Sequence, residues 1–225
     1  MHMEPGIVDS AKIALSYATA GTGAVYGAKL AVDAVRQEGA GAFVLRSAAA
    51  TALVFSFFEV LPHVPVGISE VHLILGSTLL LLFGAAPAAV GLAAGLAIQG
   101  LFFAPYDLPQ YFMNVTTLLV PLFAIEAVAR RIVPARTAYV DLSYAQVAKL
   151  SFTYQAGIVS WVAFWAFYGQ GFGAENLASV GSFGAAYMLV VLVEPLVDLA
   201  VLAAAKALGR GARSPLVTDR MFGHA

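Results

Sequence analysis

The chain contains no cysteine. That excludes disulfides, thiolate metal sites and cysteine nucleophiles, so any metal ligand must be nitrogen or oxygen. Charge is also scarce. Asp, Glu, Lys and Arg make up 11% of the 225 residues, with a formal net charge of −1. A soluble domain carries roughly a quarter charged residues, and a near-neutral chain gives no argument for nucleic acid. The glycines between Gly23 and Lys29 are not followed by Gly-Lys-Ser/Thr, so no Walker A loop is present and the chain is not expected to hydrolyse ATP itself. There is no His-Glu-x-x-His, which removes a zinc protease, and Gly67-Ile68-Ser69 is too short a match for an intramembrane serine protease. The opening Met1-His2-Met3-Glu4-Pro5-Gly6 has no basic run before the first apolar stretch, so a secretory signal is not expected. Met1 is expected to persist, because a large second residue such as His2 generally prevents its removal.

Apolar surface is what the chain has in excess. It is 60% hydrophobic, with a mean hydropathy of +0.84. A bilayer uses such a composition, at ~20 mostly apolar residues per helical span. The pattern predicts an all-α, polytopic transmembrane bundle of about seven spans, at 11–35, 43–62, 70–84, 87–104, 113–130, 145–168 and 182–208. Breaks fall at Gly39-Ala40-Gly41, Pro62 to Gly67, Gly84 to Pro87, Pro105 to Pro109, Pro134 and Gly169 to Gly173. The third segment is the shortest and is expected to start inside the membrane, with the preceding loop folded into the protein. One domain, 1–225, would include an N-terminal segment 1–10 and a cytoplasmic tail 209–225.

Lys and Arg orient the bundle. With the N-terminus outside, the inner ends and loops hold Lys29, Arg36, Arg46, Arg130, Arg131, Arg136, Lys149, Lys206, Arg210, Arg213 and Arg220. Only Lys12 falls outside. This predicts an odd number of spans, N-out and C-in. Tyr106, Tyr111, Phe112, Trp161, Trp165 and Tyr168 read as an interfacial belt and packing, without chemistry.

Three of the four histidines, His2, His63 and His72, fall on the outer side, whereas His224 reads as a solvated tail residue. The bland reading is a loop histidine and a satisfied helix-terminal one. Met1-His2 adds a chemical possibility. A free α-amine, the amide nitrogen of residue 2 and its imidazole chelate one metal in fused rings. A second histidine completes a square-planar four-nitrogen set, which suits Ni(II) or Cu(II); Co(II) can also be held if the amide nitrogen is deprotonated. Binding would release protons and weaken in acid.

Glu59, Glu126, Glu194 and Asp198 lie within predicted spans, where charge is costly. Glu126 is placed to pair with Arg130 four residues on. Glu194 and Asp198 share a face of the last span, for structural pairing inside the bundle, contact with a partner subunit, or a cation path. Glu59 and Glu70 near the outer mouth could tune the site or hydrogen-bond an imidazole. Gln99 and Asn114 are single amides near outer span ends, suited to orienting ligands or to interhelical hydrogen bonds. The first span carries a small-residue stripe, Ser16, Ala20, Ala24 and Ala28, beside a GxxxG at Gly23 and Gly27. These suit close helix approach, within the bundle or to a partner.

The opening Met1-His2-Met3-Glu4-Pro5-Gly6, the stretch Gly67-Ile68-Ser69-Glu70-Val71-His72-Leu73, Gln99, and the dipeptide Asn114-Val115 together resemble the CbiM/NikM proteins. These are the substrate-specific membrane components of energy-coupling-factor importers for cobalt and nickel. The resemblance covers most of residues 1–130 and is thin beyond. It implies seven spans, N-out, and a metal held by the Met1 amine, the His2 amide nitrogen and imidazole, and His72. Glu70-Val71 stand where the family has Ser-Gly. His63 has no counterpart and is a reserve ligand. Glu70, Gln99 and Asn114 would support the site. The resemblance further implies Ni2+ or Co2+ as the transported ion, with no cofactor. It implies as partners a transmembrane coupling protein and two ABC ATPase subunits, often with a small accessory membrane protein. The location implied is a prokaryotic plasma membrane, and Ser16, Ala20, Ala24 and Ala28 are the expected coupling contact. The alternative is a stand-alone ion- or proton-coupled secondary transporter using Glu126, Glu194 and Asp198.

Overall fold

The computed structural model describes residues 3, 8–134, 137–208 and 214–223. Seven α-helices are present among them: α1 (Ser10–Glu38), α2 (Ala40–Glu59), α3 (Gly76–Phe83), α4 (Ala85–Phe102), α5 (Tyr111–Ile132), α6 (Tyr144–Gln170) and α7 (Ala174–Leu208). A short antiparallel hairpin, β1 (Val64–Val66) with β2 (Ser69–Val71), interrupts the helices before α3. The junctions follow local chemistry. Asp9 caps α1 by accepting the Lys12 amide N–H at 2.8 Å. Gly39 and Gly84, at φ of +89° and +87°, let α1 turn into α2 and α3 into α4 with single-residue connections. Ser143 and Gln146 form a reciprocal cap at the start of α6.

The chain shuttles between two ends of the bundle. The hairpin end carries Met3, β1–β2, the 3-10 segment Pro105–Gln110 and the α6–α7 turn. The opposite end carries the α1–α2 and α3–α4 turns, the loop after α5 and the segment 214–223. Every described Lys and Arg except Lys12 lies toward this second end.

Four helical stretches are long and apolar enough to cross a membrane: Ala40–Glu59, Ala85–Phe102, Pro105–Ile132 and Ala174–Leu208. α1 and α6, at 29 and 27 residues, have the length but are less apolar. The expected third span at 70–84 is not one helix. Its first part is strand and irregular backbone, and its helical part has only 8 residues, about 12 Å at 1.5 Å per residue. Hairpin, loop and half-helix together bring the chain from one end to the other. Such backbone persists at depth only when packed inside protein, and seven of the eight α3 residues are buried.

Helices α2 and α4 approach each other closely through two glycines. A Cβ on Gly91 would lie 2.5 Å from the Ala50 Cβ, and one on Gly95 would lie 2.7 Å from Val54 Cγ1. This Gly91–Gly95 pair is the GxxxG that brings two backbones together. The Gly23–Gly27 pair on α1 has only the Phe123 ring near it, at 4.0 and 3.8 Å. Trp165 is fully buried in the core rather than part of a belt, while the Trp161 indole donates to Thr116 Oγ1 at 3.3 Å.

At the tail end, buried Arg46 pairs with Glu38 and with Asp219 and donates to the Pro215 carbonyl. The Thr218 N–H reaches the Leu82 carbonyl near the C-terminus of α3 at 2.8 Å. Met221 and Phe222 are buried in a second apolar cluster with Leu81, Val133 and Leu150. Part of the expected tail, residues 214–223, is therefore packed under the bundle.

Gly91→Ala should cost about 1–3 kcal/mol through overpacking, seen as a melting temperature lower by roughly 5 °C in detergent. Gly23→Ala should leave the melting temperature unchanged or slightly higher. Equal effects of the two substitutions would contradict this packing assignment.

Candidate functional site

At the hairpin end, one backbone residue ties three elements together. Met3 bridges Ser69 of β2 in antiparallel register. Its N–H donates to Asn114 Oδ1 of α5 at 2.9 Å, and its carbonyl accepts from Gln110 Nε2 at 3.3 Å. Gln110 is itself steadied by Asp107 Oδ1 at 3.1 Å. Met3, Ser69, Asn114 and Gln110 are all buried. Met1 and His2 lie outside the described residues.

His72 follows β2 directly and is buried at 3% exposure. Its ring meets Phe58 edge-on, with centroids 4.7 Å apart, and its Nδ1 lies 3.4 Å from the Leu73 carbonyl oxygen. His63, just before β1, is exposed. Glu70 is half-buried, opposite Pro65 in the hairpin. Gln99 is buried in α4, and its Oε1 has no hydrogen-bond partner among the described residues. The same holds for Asn114 Nδ2. Among the described residues, no three His, Asp or Glu side chains gather as a metal-binding group.

The intramembrane acids go elsewhere. Glu126 pairs with Arg130 on the same helix and accepts from the Tyr26 hydroxyl at 3.2 Å. Glu194 of α7 accepts the backbone N–H groups of Ile74 and Leu75 and the Gln155 side-chain amide. Asp198 accepts from the hydroxyls of Ser77 and Thr78. Both α7 acids therefore face the start of α3, just beyond His72. Glu59 ends α2 and is half-exposed at the hairpin end.

The stripe on α1 divides. Ser16 and Ala20 are buried in the bundle, whereas Ala24 and Ala28 are exposed. The exposed pair lines an open apolar groove of about 300 Å³ with Ala86, Val90, Phe112 and Phe123.

Sequence reasoning missed Gln110, Asp107 and Ser69 as parts of this site. Pro105–Gln110 reads as an aromatic-rich loop, and a Gln in a loop carries no signal until its partner is known. The three-residue spacing of Asp107 and Gln110 was available, but it is a weak cue.

A helical bundle with four apolar stretches long enough to cross a membrane, Met3 tethered to β2 and α5, and a buried histidine just after the hairpin define a multi-pass membrane protein with a small polar site. One family model matches residues 2–210, described as CbiM, the cobalt uptake substrate-specific transmembrane region, and the chain belongs to that family. It is accordingly a substrate-specific membrane component of cobalt uptake. The match runs well past residue 130, so α6 and α7 belong to the family region despite their thin motif content. A comparison with curated proteins and one with solved structures each found no match.

Asn114→Leu removes the acceptor of a buried N–H, a loss of about 1–3 kcal/mol at that contact. The N-terminal segment should come loose and be trimmed by an aminopeptidase several-fold faster than in the wild type, with the helical content unchanged. Equal trimming rates would show that the tether does not hold residue 3.

Proposed function

We propose that this chain captures Ni2+ or Co2+ at the outer face of a prokaryotic plasma membrane, as the substrate-specific subunit of an ATP-driven energy-coupling-factor importer. The observation that carries this reading is the Met3 tether. It holds the backbone immediately after His2 between Asn114, Gln110 and Ser69, and Ser69 is three residues before His72 in the chain. In the proposed site the Met1 amine, the His2 amide nitrogen and imidazole, and the His72 imidazole supply four nitrogens, a set that favours square-planar coordination. Buried His72 is the fourth ligand, and exposed His63 is not required. Asn114 Nδ2 and Gln99 Oε1, buried and without partners among the described residues, are the groups that orient the chelate. Glu70 sits two residues from the ligand and biases the local charge toward a cation.

The same reading puts the hairpin end outside and the lysine- and arginine-rich tail end inside. All seven helices then cross or re-enter the membrane, with the third pass made of β1–β2, the following loop and α3. Energy would come from two ABC ATPase subunits through a transmembrane coupling protein, often with a small accessory membrane protein. The exposed Ala24–Ala28 part of the α1 groove is the proposed coupling contact. The stand-alone transporter reading gains no support, because Glu126, Glu194 and Asp198 are all engaged in hydrogen bonds within the bundle.

Adding one residue before Met1 removes the terminal amine from the chelate. Ni2+ affinity should fall as far as in His2→Ala and His72→Ala, by ~100-fold or more, beyond the 10–100-fold expected for a residue that only orients a ligand. His63→Ala should change affinity by less than about 3-fold. Titration of purified protein with Ni2+ reads all four variants, and full-strength binding by the extended protein would sink the N-terminal chelate.

A further inference from the structure

We propose that Glu194 of α7 is a positioning residue for the metal site: by clasping the Ile74 and Leu75 N–H groups it sets the backbone that presents His72. The inference rests on His72 being a ligand, as proposed above.

The need for such a clasp is visible in the loop itself. α3 begins at Gly76, and the residue in its N-cap position, Leu75, has no side-chain acceptor. The first N–H groups of a helix find no partner within it, and at membrane depth water is not there to serve them. Leu75 also adopts the left-handed conformation, at φ +57°, and is the one such non-glycine among the described residues. That conformation is unfavourable for an L-residue, so it persists where the surroundings impose it. Nothing in His72-Leu73-Ile74-Leu75 selects this shape by local preference.

Glu194 imposes it. Its Oε1 accepts from both the Ile74 and Leu75 N–H groups, and its Oε2 accepts from the Gln155 amide. Gln155 is oriented in turn by the Tyr187 hydroxyl, which donates to Gln155 Oε1 at 2.7 Å. Glu194, Gln155 and Tyr187 are each fully buried. One turn further along α7, Asp198 takes the Ser77 and Thr78 hydroxyls of the first α3 turn. The ring of Tyr154 on α6 lies where a Gly76 side chain would be, only 2.1 Å from a built Cβ. The loop is therefore pinned from α6 and α7, and Ile74, the first clasped residue, is two positions beyond His72. A chelate bond requires its fourth nitrogen in the plane of the other three. A His72 backbone free to relax would place the imidazole there only part of the time.

The test compares wild type, Glu194→Ala, Glu194→Gln and His72→Ala as purified, full-length protein. Ni2+ affinity and the electron paramagnetic resonance spectrum of bound Cu2+ are the readouts. Glu194→Ala should weaken Ni2+ binding by 10-fold or more and alter the Cu2+ spectrum. Glu194→Gln keeps an oxygen acceptor for the loop, and Gln155 can turn its amide to match. It should retain affinity within about 3-fold and keep the wild-type spectrum. Such rescue separates a positioning role from one that needs the carboxylate charge. Wild-type affinity and spectrum in Glu194→Ala, alongside loss in His72→Ala, overturn this proposal and leave the metal site standing. Wild-type binding by His72→Ala overturns both. If Glu194→Ala does not purify as a monodisperse protein, Gln155→Ala carries the test. It frees Glu194 without touching the loop and should weaken Ni2+ binding several-fold with a changed spectrum; unchanged binding and spectrum overturn the proposal.

Discussion

The constraint on which the rest of this structure depends is the meeting of two α7 carboxylates with the uncapped start of α3. A half-helix of 8 residues inside a bundle exposes its first N–H groups to an apolar interior, and leaving even one buried polar group unpaired costs about 1–3 kcal/mol. From a neighbouring helix, Glu194 takes the N–H of Leu75 at the N-cap position and that of Ile74 just before it, while Asp198 takes the Ser77 and Thr78 hydroxyls of the first turn. An acid in a membrane is equally costly alone. Each feature is thus tolerable because of the other, and neither α3 nor the middle of α7 could be exchanged independently.

The consequence spreads in both directions along the chain. Upstream, the clasp fixes where the loop leaves β2, and β2 receives Met3. Downstream, α3 runs to Gly84 and returns at once as α4, which packs through Gly91 and Gly95 against α2. At the far end the Thr218 N–H closes on the Leu82 carbonyl. The half-helix is held at its start by α7 and near its end by segment 214–223. A short element with so few turns has little stability of its own, so these outside contacts define its position.

Much of this was legible in the sequence because membrane physics writes in long runs. Length and hydropathy located six of the seven helices within a few residues at most ends; the main departure is α7, which begins at Ala174 rather than at 182. The exception was the third segment, where apolar composition continued through the strand, loop and half-helix without a change of period. Its shortness was the single sign that it does not cross as a helix. Asn114 was legible as a polar group out of place, but its partner, the Met3 N–H, was not, because a backbone donor has no letter of its own. The same reason hid the role of Glu194, whose principal partners are the Ile74 and Leu75 amides. The Gly23–Gly27 motif makes no close helix approach within the bundle and instead lines the open groove on α1. Spacing shows where close approach is permitted, and only packing shows that α4, rather than α1, uses it.

The tether at residue 3 resolves a conflict built into any site made from a chain terminus. Termini fray unless tied down, yet a terminal chelate needs the amine free and the first peptide nitrogen available to the metal. In the proposed site the amine and the residue-2 nitrogen are ligands, so the first backbone N–H left for structure is that of Met3. That N–H is the one Asn114 holds, and the Met3 carbonyl beyond it is held by Gln110. A tether one residue earlier would compete with the metal for the same nitrogen. One several residues later would leave a flexible arm, and the conformational freedom lost on binding, roughly 1–2 kcal/mol per residue, would subtract from affinity. Holding the third residue is the arrangement that leaves the ligands free and fixes the backbone immediately after them.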